Sequence, residues 1–94
     1  MKVPAHIRPT ADVIATECES EIFLLNVNGE RYFSLKGVGK RFWEEISKNS
    51  SVEQAIGALI GEFVVSQDVL RKDITDLCEQ LLARKLVEEM PSGG

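Results

Sequence analysis

Few side chains in this sequence could do covalent chemistry, and none stands where a partner is evident. His6 is the single histidine. It reads as a solvated loop residue, and without a second histidine near a carboxylate or thiol neither a triad nor a histidine-rich metal site can be assembled. Cys18 and Cys78 are far apart and form no CxxC, so in a reducing compartment they read as reduced, buried small hydrophobes. Asp73 and Asp76 fall three apart on one helix face, but a carboxylate pair alone is a solvated face. Gly37-Val38-Gly39 lacks the further glycines and the Lys-Ser/Thr of a phosphate loop and reads as a strand-to-helix corner. The chain is therefore expected to be no enzyme and to hold no cofactor or metal.

What remains is main-chain chemistry. Asn28-Gly29 separates two runs, Ile22 to Val27 and Arg31 to Leu35. Asn-Gly is the strongest short hairpin signal, because both central positions of a type I′ turn need φ > 0. Val13 to Cys18 is a third β-rich run, joined through a turn at Glu19-Ser20, so the three make an antiparallel meander. In the last strand Phe33 and Leu35 share one face, and Tyr32 and Ser34 the other. A meander leaves a strand edge with unpaired N–H and C=O groups, and such an edge accepts an extended peptide as one more strand. Tyr32 either covers the sheet or flanks the docked peptide.

The elements that hold this edge follow from a change of period. Val38, Phe42, Trp43 and Ile46 recur at helical spacing, with Trp43 expected in the core at the helix–sheet junction. Lys48 to Ser51 break that helix. Ser50 or Ser51 caps the next, since both Ser50-x-x-Glu53 and Ser51-x-x-Gln54 match a capping box. Its apolar face is Val52, Ile56, Leu59, Ile60 and Phe63. Ser66 caps a third helix with Asp68 in its first turn, an apolar stripe from Val69 to Leu82, and Arg84 and Lys85 at its negative end. Leu86 and Val87 could return as a short strand. The expected fold is α+β and winged-helix-like, a three-stranded antiparallel sheet followed by a three-helix bundle. Residues 1–11 read as an extended N-terminal arm, 12–88 as the peptide-binding domain and 89–94 as a flexible tail. Phe33, Leu35, Phe42, Ile56, Leu59, Ile74, Leu77 and Leu81 are the expected core.

The bulk properties fit one domain. The chain has 94 residues, 44% hydrophobic and 28% charged. No apolar run approaches the roughly 18 residues of a membrane span, and Met1 to Thr10 lack the apolar core of a signal peptide, which makes the cytoplasm the expected compartment. Formal net charge is -4, a balance that opposes a phosphate-binding face. A winged-helix DNA binder would need a basic recognition helix, yet Asp68, Asp73, Asp76 and Glu79 balance Arg71, Lys72, Arg84 and Lys85. A scaffold domain that binds a folded partner is the other alternative.

The ordered series Leu24-Leu25-Asn26-x-x-Gly29-x-Arg31-Tyr32-Phe33-x-Leu35, a glycine-containing corner, Phe42-Trp43, Ser51-Val52-x-x-Ala55-Ile56-x-x-Leu59, and the run from Val69 to Leu82 resembles the PqqD-like family over about residues 12 to 88. It departs at Leu35-Lys36-Gly37-Val38-Gly39, where the family often has Leu-Asn and a Thr-Gly-Ala-like corner. The resemblance implies a leader-peptide recognition element for ribosomally made, modified peptides. In such modules the precursor's leader adds as a strand to the third strand, in a groove beside the third helix. The binding residues would then be Arg31, Tyr32, Phe33, Ser34 and Leu35 on the strand. The helix would supply Val69 and Leu77 as apolar contacts beside Lys72, Asp73, Asp76 and Gln80. The implied partners are the leader and a leader peptidase or modifying enzyme. The lasso-peptide setting comes first because a short stand-alone form suits it; the same role beside a radical-SAM enzyme is the alternative.

Overall fold

The computed structural model describes residues 4–28 and 31–90, and the backbone alone of Arg31. The expected Asn28-Gly29 turn lies outside the described residues at Gly29. Strands β1 (Ile7–Pro9), β2 (Val13–Cys18), β3 (Glu21–Asn26) and β4 (Arg31–Lys36) are followed by helices α1 (Val38–Lys48), α2 (Val52–Ile60) and α3 (Gln67–Ala83) and by β5 (Val87–Glu89). The meander β2-β3-β4 is antiparallel throughout. Alternation decides which face is covered: Ile22, Leu24, Asn26 and Leu35 are buried against the helices, while Tyr32, Ser34 and Lys36 are exposed. This is the α+β arrangement expected from the sequence.

The N-terminal stretch differs from the expected arm. β1 pairs with β5 in a second, two-stranded sheet, Ile7 opposite Glu89 and Pro9 opposite Val87. On its other side Ile7 N–H donates to the Ser50 carbonyl at 3.0 Å, and Val52 N–H to that of Ala5 at 3.0 Å. His6 consequently forms a bridge to Ser51 rather than a solvated loop, and Ile7 is fully buried. Three residues beside two prolines carry too little pattern to announce a strand. Main-chain groups offered by distant segments make it one. The same pairing includes Glu89, and Met90 N–H donates to the His6 carbonyl, so paired backbone reaches past the start of the tail expected from 89.

Helix ends are set by local chemistry. Ser51 Oγ accepts from Gln54 N–H at 3.2 Å and Ser66 Oγ from Val69 N–H at 3.2 Å. The Gln54 side chain does not close its capping box; its Oε1 takes the Asn49 amide instead. α1 starts at Gly37, whose φ of 53° suits glycine. α3 ends with Lys85 N–H to the Leu82 carbonyl and Leu86 N–H to the Leu81 carbonyl, a Schellman motif with a lysine at φ 59° where glycine is usual. Replacing Lys85 by glycine should therefore raise stability by ~0.5–1 kcal/mol, read by chemical denaturation; a loss would mean that the Lys85 side chain makes a contact worth more than the strain.

Charged pairs tie the helices. Arg41 of α1 holds Glu62 beyond α2 through two bonds of 2.7 Å, and Arg71 of α3 holds Glu53 of α2 at 2.6 and 3.0 Å. Each guanidinium keeps its carboxylate below the usual range. That contribution is present at neutral pH and fades as pH falls through the lowered native value.

Two further differences concern the core. Phe33 and Leu77, expected inside, are half-buried at its margin. Cys18 is exposed on the outer sheet face, whereas Cys78 is buried in the core, where burial and then Glu79 push its thiol up to about 12. A thiol reagent near neutral pH should accordingly label one cysteine in the native protein and the second only after denaturation. Rapid labelling of both would show that the core around Cys78 opens freely.

Candidate functional site

β4 is an edge strand: it pairs with β3 and with no other described strand. Register decides what the edge offers. Val27 N–H donates to the Asp12 carbonyl at 3.1 Å, extending the β2–β3 ladder by one pair. Because bonding alternates in an antiparallel ladder, Glu21, Phe23 and Leu25 are the β3 residues that bond β2. Ile22, Leu24 and Asn26 turn to β4, where their partners are Leu35, Phe33 and Arg31. The N–H and C=O groups of Tyr32, Ser34 and Lys36 are thus directed to the open edge.

Beside this edge lies a groove of about 340 Å³ between β4 and α3. β4 supplies Phe33, Ser34, Leu35 and Lys36, the start of α1 supplies Val38 and Gly39, and α3 supplies Asp73, Ile74, Asp76, Leu77 and Gln80. The half-burial of Phe33 and Leu77 has its cause here: both line the apolar floor of the open groove. Gly39 keeps the floor open. A Cβ there would stand 3.3 Å from Leu35 Cδ2 and 3.7 Å from Leu77 Cδ2, so the second glycine of the corner allows close packing whereas Gly37 answers to φ.

The residues singled out from sequence divide in space. Phe33, Ser34, Leu35, Asp73, Asp76, Leu77 and Gln80 come together at the groove. Val69, 50% exposed, lies one turn before Asp73 on α3, outside the lining. Lys72 is also outside it and pairs with Asp76 at 3.1 Å. Tyr32, 75% exposed, stands opposite Leu25 on the sheet face away from the helices. Arg31 opens β4 by strand position.

Sequence reasoning missed Lys36, Val38 and Gly39, which the corner glycines could have signalled, and Ile74, which it read as core. It missed Arg84 as well: its guanidinium sits 4.9 Å from the centroid of the Phe33 ring, a cation–π contact. Nothing in a terminal arginine announces which ring it will meet.

A larger concavity, about 580 Å³, opens beside Asp12, Asn28, Arg84 and Lys85. Its walls mix polar and charged side chains. Among the described residues no group of three or more His, Cys, Asp or Glu could hold a metal ion, and no described helix is long and apolar enough to cross a membrane.

A three-stranded meander backed by three helices, open along β4, defines a small class of α+β modules. The chain belongs to the PqqD family: the family model described as Coenzyme PQQ synthesis protein D (PqqD) matches residues 21–87. No curated protein matches it. A solved structure described as "TbiB1 in Complex with the TbiA(beta) Leader Peptide" resembles it with a TM-score of 0.82 at 24% identity, covering 90% of this chain and 99% of the other. At that identity the likeness speaks for the fold.

Proposed function

We propose that this chain is a non-catalytic recognition module. It binds the leader of a ribosomally made precursor peptide as an added strand on β4 and presents it to a partner leader peptidase or modifying enzyme. One observation carries the reading. The outward main-chain groups of Tyr32, Ser34 and Lys36 run along a groove whose floor is apolar and whose far wall is a helix. Main-chain bonds supply affinity whatever the sequence, at ~0.5–1.5 kcal/mol net each, and the pockets beside them supply choice. Membership of the PqqD family supports this, as does the likeness to a structure described as holding a leader peptide. An acidic third helix, by contrast, is poorly suited to phosphate.

The lasso-peptide setting is the favoured one, and a radical-SAM enzyme the alternative partner. A precursor gene beside a leader peptidase and an ATP-dependent cyclase would select the first. Isothermal titration of the synthetic leader of that precursor tests the function itself. Saturable one-to-one binding is expected, and no heat of binding at any temperature, confirmed by a second method, would end the proposal.

A further inference from the structure

Asp73 lines the groove, while Arg84, outside its lining, stands over the ring of Phe33 in its floor, and each has a charge to spare. α3 passes β4 in the opposite direction. Leu77 approaches Leu35 at Gly39, while Arg84, after the last turn of α3, lies over Phe33. Asp73, a turn before Leu77, lines the groove. Its charged neighbours are already matched, Lys72 by Asp76 at 3.1 Å and Lys36 by Glu21 at 3.3 Å, whereas no described residue pairs with Asp73. The Arg84 guanidinium has the Phe33 ring but no carboxylate among the described residues.

We propose that the groove reads an oppositely charged pair in the strand it binds, a Lys or Arg beside Asp73 and an Asp or Glu beside Arg84. This rests on the leader-binding reading and adds to it a chemical pattern and a direction. Asp73 and Arg84 are separated by roughly 16 Å at ~1.5 Å per helical residue, which an extended chain at ~3.3 Å per residue covers in about five residues. Both charged side chains must share the groove-facing side of the pleat, so their separation is even, and four is the even number that long side chains leaning inward can satisfy. The residue midway between them faces the floor of Phe33, Leu35 and Leu77 and is apolar. Because β2, β3 and β4 are antiparallel and antiparallel ladders are the more stable per residue, the added strand starts beside Lys36 and ends beside Arg31. The basic residue therefore comes first. A strand with the order reversed sets like charge against like at both ends, which is how a weak pair of contacts becomes a selective one.

The test is selection from a displayed library of random ten-residue peptides, run against the wild-type protein and against the double variant Asp73→Lys/Arg84→Glu. The wild type should enrich a basic residue followed four positions later by an acidic one with an apolar residue midway, and the double variant the reverse order. A synthetic copy of an enriched peptide should lose about tenfold in affinity when its two charges are exchanged, and less at high salt. A neutral Asp73→Asn/Arg84→Gln protein, shown by circular dichroism to be folded, should enrich no charge order. Enrichment without charge order on the wild type, or the same order on wild type and double variant, overturns the inference. Ser34→Pro separates the two levels. Peptides that lose binding to it yet ignore charge exchange leave strand addition standing and sink only the charge pairing. Peptides that bind it undiminished, or no enrichment at all on folded wild type, sink both.

Discussion

Replacing Ser34 by proline is expected to abolish leader binding, with a loss of about a hundredfold or more, while the domain stays folded. The Ser34 amide points away from β3, so proline removes no bond of the meander, and edge strands accept proline on their outward side. The added strand loses one main-chain donor and meets the pyrrolidine ring where its own carbonyl should approach. An acceptor left unsatisfied costs ~1–3 kcal/mol, and the ring adds a steric term. Phe33→Pro is the matched control. Phe33 turns its main-chain groups to Leu24, so proline there breaks the β3–β4 ladder and should unfold the protein. Titration calorimetry with the leader and circular dichroism read the two outcomes. A Ser34→Pro protein binding within threefold of wild type, or a Phe33→Pro protein that folds normally, would mean that the register places the wrong amides on the edge.

Leu35→Ala and Leu77→Ala should part in a similar way. Leu35 is 4% exposed in the core cluster, and truncation there removes transfer energy and leaves a cavity, costing about 2–4 kcal/mol. That is a large share of the 5–15 kcal/mol typical of a domain. Leu77 is half-buried, so its truncation gives back water contact on one side and should cost only ~1 kcal/mol of stability. Leader affinity should follow the other order, falling about tenfold in the Leu77 variant because the floor that takes the leader's inward side chain is lost. Urea titrations give the stabilities. Equal stability losses would show that Leu77 belongs to the core after all and that the groove floor lies elsewhere.

A local rule was enough for the elements with strong pattern. Alternation over Arg31–Lys36 sets an inward and an outward face, the period change after Leu35 starts α1, Ser66 caps α3 as expected, and of the two serines offered for α2 it is Ser51 that caps. Local rules fell short where a partner distant in sequence decides. β1 exists because Val87–Glu89 and Ser50–Val52 arrive on either side of it, and a three-residue run beside Pro9 cannot reveal that.

The candidate site divides along the same line. Sequence by itself determined that β4 would carry Phe33 and Leu35 on one face, and it grouped Val69, Lys72, Asp73, Asp76, Leu77 and Gln80 as candidates on α3. It did so because side-chain direction in a strand or helix depends on residue spacing alone. Only the tertiary structure decided that Tyr32, Ser34 and Lys36 offer the free main-chain groups, since ladder parity depends on how β2 registers with β3. Only it decided that Val69 and Lys72 lie beyond the groove, that Phe33 and Leu77 are floor rather than core, and that Arg84 closes over Phe33. These depend on the angle and height at which α3 crosses the sheet, and the packing that sets both, down to the close approach of Leu35 and Leu77 at Gly39, belongs to no single segment.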